Sequence, residues 1–434
     1  MNQKHTATMN SLLRFVLALL AATTLIMVTA ATAQTESVLF SITGKNDGSS
    51  PRGGVIFDAA GNLYGTSEYT GSNGGCCGAV WEISPMPGGS WSETVLHTFS
   101  GKADGATPFA GLVSDASGNL YGTTSYGGNL SGCSSGCGVV FGLSPQPGGG
   151  WKGSELHQFS GGADGANPWT SLTVDAAGNL YGTTFAGGAS GNGVVFKLTP
   201  NSHGGWTETV LHAFTGGNEG ANPFGTLVFD SAGNLYGTTS GGGNTACNYF
   251  EQGCGVVFQL ALQSDGHWKE SVIHAFNGKY GDAPQGGVVF DAAGNLYGTT
   301  AVGGETNGCD GGGCGLVYQL SPTSSGPWNF TELREFKDTE FNDGFYPIGN
   351  LTLDGSGNVY GTTSEGGDCG FGVVFQLAPT SGGGAKYTVI HSFACSGDGA
   401  APLAGMIFDS SGNLYGTTSQ GGASQFGTVF RITP

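Results

Sequence analysis

Seven near-identical copies of one short string run along the chain, and that repetition limits the fold more than any other feature. Gly-Asn-Leu-Tyr-Gly-Thr begins at Gly61, Gly118, Gly178, Gly233, Gly294 and Gly412, and Gly-Asn-Val-Tyr-Gly-Thr at Gly357. An Asp precedes each Gly by three residues: Asp58, Asp115, Asp175, Asp230, Asp291, Asp354 and Asp409, spaced by 57, 60, 55, 61, 63 and 55. A period of this size marks supersecondary units that bury their faces only against neighbouring copies. Seven units of about this length use up residues 34–434, so no second folded domain has room.

Each unit divides into four short strands. In the second copy, Gly111 to Asp115 is expected to be the first strand and Asp115 to Asn119 a turn. Leu120 to Thr124 is the second strand, followed by a Gly-rich loop to Gly136. Val139 to Leu143 is the third, Pro145 to Gly150 a turn, and Ser154 to Phe159 the fourth. Asp and Asn accept local backbone hydrogen bonds and Gly supplies positive φ, which gives these turns a mechanism. Val139-Val140-Phe141 is apolar on both faces, as expected of a sheet covered on both sides. Helix is disfavoured, because 84 glycines interrupt almost every stretch at about 1 kcal/mol per interior site. The 26 Phe, 14 Tyr and 7 Trp argue for a buried core rather than a disordered chain.

Four-stranded sheets that cover one another around an axis make a β-propeller. The expected fold is therefore all-β, a seven-bladed propeller. An open solenoid would need capping units with polar outer faces, and neither end resembles one. Instead Ser37-Val38-Leu39-Phe40-Ser41-Ile42 matches a fourth strand, and Gly427-Thr428-Val429-Phe430-Arg431-Ile432 matches a third. The N-terminal strand is expected to complete the last blade and close the ring.

Residues 1–33 do not belong to this pattern. Lys4 and Arg14 precede an apolar run from Phe15 to Val28, then the small-residue site Ala31-Thr32-Ala33. That is the layout of a signal peptide cleaved before Gln34. An uncleaved anchor needs about 20 strongly apolar residues, and Thr23, Thr24 and Thr29 interrupt this run. Removal of Lys4 and Arg14 leaves 11 basic against 31 acidic groups, a net charge of −20. Such a surface repels phosphate backbones, so nucleic acid is excluded as a partner, and anionic membranes are disfavoured for the same reason. Cations, neutral glycans and proteins remain.

The unit Gly-Asn-Leu-Tyr-Gly-Thr-Thr, then Gly-Gly, then Gly-Val-Val-Phe-x-Leu, resembles the bacterial Gloeo/Verruco-type tandem repeat, in seven copies over residues 37–434. The resemblance implies an extracellular protein and no defined reaction, and it carries no catalytic residues over. A C-terminal sorting tail often follows such repeats. This chain stops at Pro434 directly after a strand, so free secretion or a periplasmic location is the expectation.

Ten Cys in an exported chain suggest disulfides. Cys133 and Cys137, Cys247 and Cys254, and Cys309 and Cys314 each fall in one loop between second and third strands, where local pairing is expected. Cys369, read as beginning a third strand, should face Cys395 at the end of the antiparallel fourth. Cys76 and Cys77 are contiguous, and form either a vicinal disulfide or two free thiols. A metal site is the rival reading of the cysteines, weakened by the lack of neighbouring His.

Three further sets recur with the repeat. His97, His157, His212, His274 and His391 share one fourth-strand position, with Phe40 and Arg334 replacing them in the other units. They read as packing or hydrogen-bonding groups, since no nucleophile or metal partner accompanies them. The seven tyrosines of the repeat string read as core. Trp91, Trp151, Trp206, Trp268 and Trp328 open fourth strands and read as inter-blade packing. Asp47, Asp104, Asp164, Glu219, Asp282, Asp343 and Asp398 lie between one unit's fourth strand and the next unit's first. They would form an acidic ring on the face that also carries the disulfide loops. Carboxylate oxygens suit Ca²⁺, making a cation or a cation-bridged glycan one reading. The competing reading is that each acid fixes its own turn.

The function expected from these features is a non-enzymatic binding or structural scaffold for extracellular glycan or protein. The alternative is a carbohydrate-active lyase or hydrolase with its site at the propeller mouth. Its candidate residues are the irregular polar ones of the second-to-third-strand loops: Glu68, Tyr69, Tyr126, Glu305, Asp310, Glu365 and Asp368.

Overall fold

The Asp-x-x-Gly-Asn-Leu-Tyr string folds the same way seven times, because one carboxylate organises it. In the second copy Asp115 Oδ1 accepts the N–H groups of Ser117 and Asn119 at 2.9 and 3.0 Å. Its Oδ2 accepts Asn119 Nδ2 at 2.7 Å and the Tyr121 hydroxyl at 3.0 Å. Gly118, between them, has φ of 78°, a conformation glycine adopts without steric cost. The tyrosines are thus core rings with a polar end tied to the turn. Burial alone would raise each of these Asp pKa values. The hydrogen bonds outweigh it and hold all seven below the usual carboxylate value.

The computed structural model describes residues 35–71, 75–245, 247, 253–304, 309–324, 326–338, 343–382, 384–394 and 397–433. Residues 1–33, with the expected leader, lie outside the described residues, as do Glu305 and Cys395. Glu36–Thr433 forms one unit of seven antiparallel blade sheets, with two small two-stranded pairings, Gly344–Phe345 with Glu365–Gly366 and Gly399–Ala400 with Gln420–Gly421, beside them. Blade 2 runs Val113–Ser114, Leu120–Thr124, Val139–Pro145 and Trp151–Gln158 in that spatial order. The fourth strands of blades 1 to 6 are Trp91–Thr98, Trp151–Gln158, Trp206–Ala213, Trp268–Ala275, Asn329–Glu335 and Ala385–Ser392. In blade 7 the outer position is taken by Thr35–Ser41, which pairs with Thr428–Thr433. Ile42 N donates to Gly427 O at 3.0 Å beside it. The fold is a seven-bladed β-propeller closed by its N-terminal strand.

Two strands differ from the sequence expectation. The first strand has only two paired residues, Val113–Ser114, not Gly111 to Asp115. The preceding glycines sit where entry segments of different blades crowd together. A Cβ on Gly53 would lie 2.3 Å from Gly111 N, and one on Gly111 2.9 Å from Gly54 O. Backbone meets backbone there without a ladder. The fourth strand starts earlier, at Trp151, and a register shift at Val140/Phe141 bends the hairpin.

The blades are held side by side by both apolar and polar contacts. Tyr64 meets Trp151 of the next blade edge to face at 5.9 Å, and Tyr121 meets Trp206 at 5.8 Å. In most blades the buried Thr of the repeat string donates its hydroxyl to the next blade's entry segment: Thr66 to Ala110 O, Thr123 to Thr170 O, Thr238 to Gly286 O and Thr362 to Ala404 O, at 2.8–3.0 Å. Thr183 instead pairs with Thr170 of its own blade, and Thr299 Oγ1 has no hydrogen-bond partner among the described residues. Thr417 closes the circle on Gly53 O at 2.9 Å.

Removing residues 35–42 is expected to leave Thr428–Thr433 as an open edge strand and cause self-association. Size-exclusion chromatography and thermal melting check this; a truncated protein that stays monomeric with unchanged melting contradicts strand-mediated closure.

Candidate functional site

Each entry segment turns on a left-handed residue just before a proline. Ser50, Thr107, Asn167, Asn222, Ala283, Tyr346 and Ala401 all have φ of 52–60°, a region unfavourable for side-chain-bearing residues. Their N–H groups are held by the previous blade's second-to-third-strand loop: Thr107 N donates to Cys77 O, Asn167 N to Cys137 O, Ala283 N to Cys254 O and Tyr346 N to Cys314 O, at 2.7–3.2 Å. The second cysteine of each of those loops is therefore the acceptor that fixes the next blade's entry.

The turn aims the residue after the proline at the centre. Arg52, Phe109, Trp169, Phe224, Ile348 and Leu403 line a shallow depression there, of about 90 Å³. On one side the rings gather. Trp169 stacks on Phe185 at 4.0 Å and meets Phe224 at 5.4 Å, while Phe109 stacks on Trp169 at 5.9 Å. All four rings are partly exposed. Arg52 lies over Phe109, 4.8 Å from its centroid, and its Nε donates to buried Glu68. The Tyr69 hydroxyl is pushed up to about 12, first by the neighbouring Glu68 carboxylate and then by burial. This mouth combines flat apolar rings with a fixed charged pair, which suits a ligand with both C–H faces and hydroxyl groups.

Of the sequence candidates, Glu68 and Tyr69 belong to this mouth, and Tyr126 is exposed close by Tyr69. Glu365 and Asp368 are exposed and are not among the residues lining the depression. The aromatic cluster was missed. Its signal is in the sequence, as the one column after each proline that changes from blade to blade: Arg52, Phe109, Trp169, Phe224, Gln285, Ile348, Leu403.

The seven acids are engaged within their own loops. Asp47 accepts from Thr43 N, Thr43 Oγ1 and Lys45 N. Asp104, Asp164 and Glu219 accept the N–H and hydroxyl of Ser100, Ser160 and Thr215. Asp343 accepts Arg334 Nη2 at 2.6 Å, and Asp398 accepts Ala394 N. Asp282 sits against the Cys247–Cys254 bridge, and burial pushes it up to about 6. Four of the five repeated histidines point at these acids, at 3.4 Å for His97–Asp104, 3.6 Å for His157–Asp164, 3.8 Å for His212–Glu219 and 3.1 Å for His391–Asp398. Burial lowers the pKa of His157, His212 and His391, against the pull of the acids, and takes His274 down to about 4. Asp104, Asp164, Glu219, Asp343 and Asp398 thus face a His or Arg of a fourth strand.

A glutamate from the following blade enters several seams. Burial, then a nearby acid, pushes Glu36, Glu208 and Glu270 up to about 7. Glu36, His391 and Asp398 bring three donor atoms within 4.8 Å of one another. One imidazole with two carboxylates fits a divalent transition metal better than Ca²⁺. The Cys247/Cys254/Asp282 and Cys309/Cys314/Asp338 groups offer no thiolate, because their sulfurs are bonded to each other.

Cys133–Cys137, Cys247–Cys254, Cys309–Cys314 and the contiguous Cys76–Cys77 are disulfides. Cys369 is also disulfide-bonded. It lies in the loop four residues before the third strand Val373–Pro379, rather than beginning that strand, and its expected partner Cys395 is outside the described residues.

The profile of the Gloeobacter/Verrucomicrobia repeat matches residues 22–151, 126–247 and 244–434. The chain belongs to this repeat family. No curated protein matches its sequence. Among solved structures, the chain is similar to the extracellular domain of a protein described as a hybrid two-component system of B. thetaiotaomicron. That likeness has 10% identity and a TM-score of 0.52, over 91% of this chain and 40% of that one. A Xanthomonas campestris gluconolactonase (14% identity, TM-score 0.40) and a Dyadobacter fermentans protein of unknown function (9%, 0.44) each match over 92% of this chain and 99% of theirs. These likenesses are of fold alone. Among the described residues no helix is long and apolar enough to cross a membrane.

Glu208 has a folded-state pKa of about 7 against an ordinary 4.5, so its ionisation opposes folding. Its contribution to stability is lost as pH rises from the ordinary value through the folded one. Glu208→Gln is expected to melt about 1–2 °C above the parent at pH 8 and level with it at pH 5. A variant melting below the parent at pH 8 contradicts a destabilising ionised carboxylate in this seam.

Proposed function

We propose that the chain is an exported, non-catalytic binding module whose ligand is an extracellular glycan docked on the aromatic mouth. The observation that carries this reading is the cluster of four partly exposed rings, Phe109, Trp169, Phe185 and Phe224, beside Arg52 and Glu68. A pyranose presents a C–H face to a flat ring, and its hydroxyl groups match a guanidinium and a carboxylate. Large aromatic surfaces that are fixed in place lose little conformational entropy on binding. The strongly acidic mature chain favours neutral or basic glycans over anionic ones. The scaffold also suits exposure to an oxidising compartment, since its disulfides hold the loops that fix each neighbouring blade's entry.

A glycan array probed with the mature chain is expected to return a defined ligand, and Trp169→Ala is expected to weaken it roughly 10–30-fold with melting unchanged. Parallel arms with Ca²⁺ and with chelator separate ring stacking, which is indifferent to the ion, from a cation bridge through the seven acids. Turnover of the bound glycan, seen as new reducing ends or unsaturated products, sinks the non-catalytic reading.

Export rests on the leader layout of residues 1–33, with residues 34–434 as the mature propeller. Protein sequencing of the secreted product is expected to begin at Gln34; a product that retains Phe15 to Val28 contradicts cleavage.

A further inference from the structure

In each seam the fourth strand of one blade presents a residue to the blade before it. This residue lies opposite the Leu or Ile of its own third strand. The register makes it Glu93, Gly153, Glu208, Glu270, Phe330 and Tyr387 in blades 1 to 6. A side chain stands there in every one of these blades except the second. At Gly153 a cavity of about 330 Å³ opens between blades 1 and 2, lined by His97, Phe99, Asp104, Phe141 and Leu143.

The seam between blades 4 and 5 has the same walls around a ring. Phe330 stacks on His274 with centroids 4.6 Å and planes 13° apart, and lies over Tyr318 at 6.0 Å. By register His97 corresponds to His274, Phe99 to Phe276 and Phe141 to Tyr318. The walls superpose in their internal spacings as well. His97–Phe99 and His274–Phe276 are 4.7 and 4.8 Å apart, and Phe99–Phe141 and Phe276–Tyr318 are 5.0 and 5.1 Å apart. In the seam between blades 5 and 6 the place is again taken by a ring. Tyr387 lies 6.0 Å from Phe336 and 5.9 Å from Phe375, under the Arg334 guanidinium at 4.4 Å. The chain therefore displays, twice, the kind of group that fits this place.

We propose that the cavity between blades 1 and 2 is a binding site for a free, neutral, single-ring aromatic molecule, which stacks on His97 where Phe330 stacks on His274. Size agrees, because an apolar cavity of about 150 Å³ already binds benzene. The Asp104 and Glu155 carboxylates at the edge repel a ring that carries a carboxylate. The ligand class is that of phenols and alkylbenzenes, the chemistry of the Tyr and Phe side chains found in the sister seams.

The site is emptied of its ligand by filling it. Gly153 has no positive φ, and a Cβ there meets only ordinary contacts, 3.5 Å from His97 Nδ1 and 3.6 Å from Leu143. Gly153→Phe rebuilds the blade 5 arrangement, and Gly153→Glu restores the residue of blades 1, 3 and 4. The probes are p-cresol, toluene and benzoate, followed by saturation-transfer NMR and titration on the mature chain. Toluene and p-cresol are expected to saturate the parent with Kd on the order of 1 mM or tighter. Both variants are expected to weaken them at least about 10-fold, the loss of one tightly packed group. Benzoate is expected not to compete, and Trp169→Ala to leave cresol binding unchanged, since the mouth is a separate place. Should Gly153→Phe fail to fold, Gly153→Glu reads the same loss. Failure of both neutral rings to saturate the parent, undiminished binding by a folded variant, or benzoate binding equal to cresol overturns the proposal.

Discussion

The ring rests on how each blade is tied to the next: in five of the seven blades a buried threonine hydroxyl donates to the following blade's entry segment. A four-stranded sheet of about 25 residues cannot bury both of its faces. Val140 and Phe141 of blade 2 are buried because blades 1 and 3 cover them. Apolar cover is non-directional and would tolerate sliding, whereas Thr123 to Thr170 O and its counterparts tie one blade's second strand to one point on the next. The bond from Thr417 to Gly53 spans 364 residues and joins the last blade to the first, alongside the N-terminal strand that closes the ring. Open stacks need caps; a ring needs only a shared last blade.

A second set of inter-blade bonds explains where the disulfides are. The left-handed residue before each proline is strained, and its N–H is anchored on the previous blade's loop. Loops rich in glycine lose much entropy on ordering. A short disulfide at the acceptor lowers the number of states such a loop can visit. Asn192, Phe371 and Phe426 fill the acceptor position in the blades where it is not a cysteine, so the backbone acceptor itself, rather than the sulfur, makes the anchoring bond. The bridges are thus part of ring assembly, and the central mouth is shaped by the entries they fix.

Much of the architecture was legible because the repeat forces it. Asp115, Asn119 and Gly118 announce a turn by chemistry alone, and Leu120 to Thr124 follows as a strand of the length expected. The first strand was overestimated, since Gly111 reads as an ordinary residue until Gly54 is seen 2.9 Å from where its Cβ would be. The acids between units were visible as a column. Their partners were not, because only the path of the turn after the fourth strand brings Asp104 back to within 3.4 Å of His97. The aromatic mouth was hidden for a further reason. Phe109, Trp169 and Phe224 are 55 to 60 residues apart in sequence, and no local pattern connects rings that meet across an axis.

Period, turn chemistry and the matching ends are local or comparative properties, so the chain alone determined seven blades, four strands each and closure by the N-terminal strand. Hydrogen bonds within a few residues and the alternation of apolar faces are enough to specify those. What stands next to what across a seam was decided only by the tertiary structure: a glutamate held near neutrality beside Asp164, a ring on His274, a cavity where Gly153 offers no side chain. Those outcomes depend on volumes and fields contributed by two blades at once, and neither blade's sequence contains the other's walls.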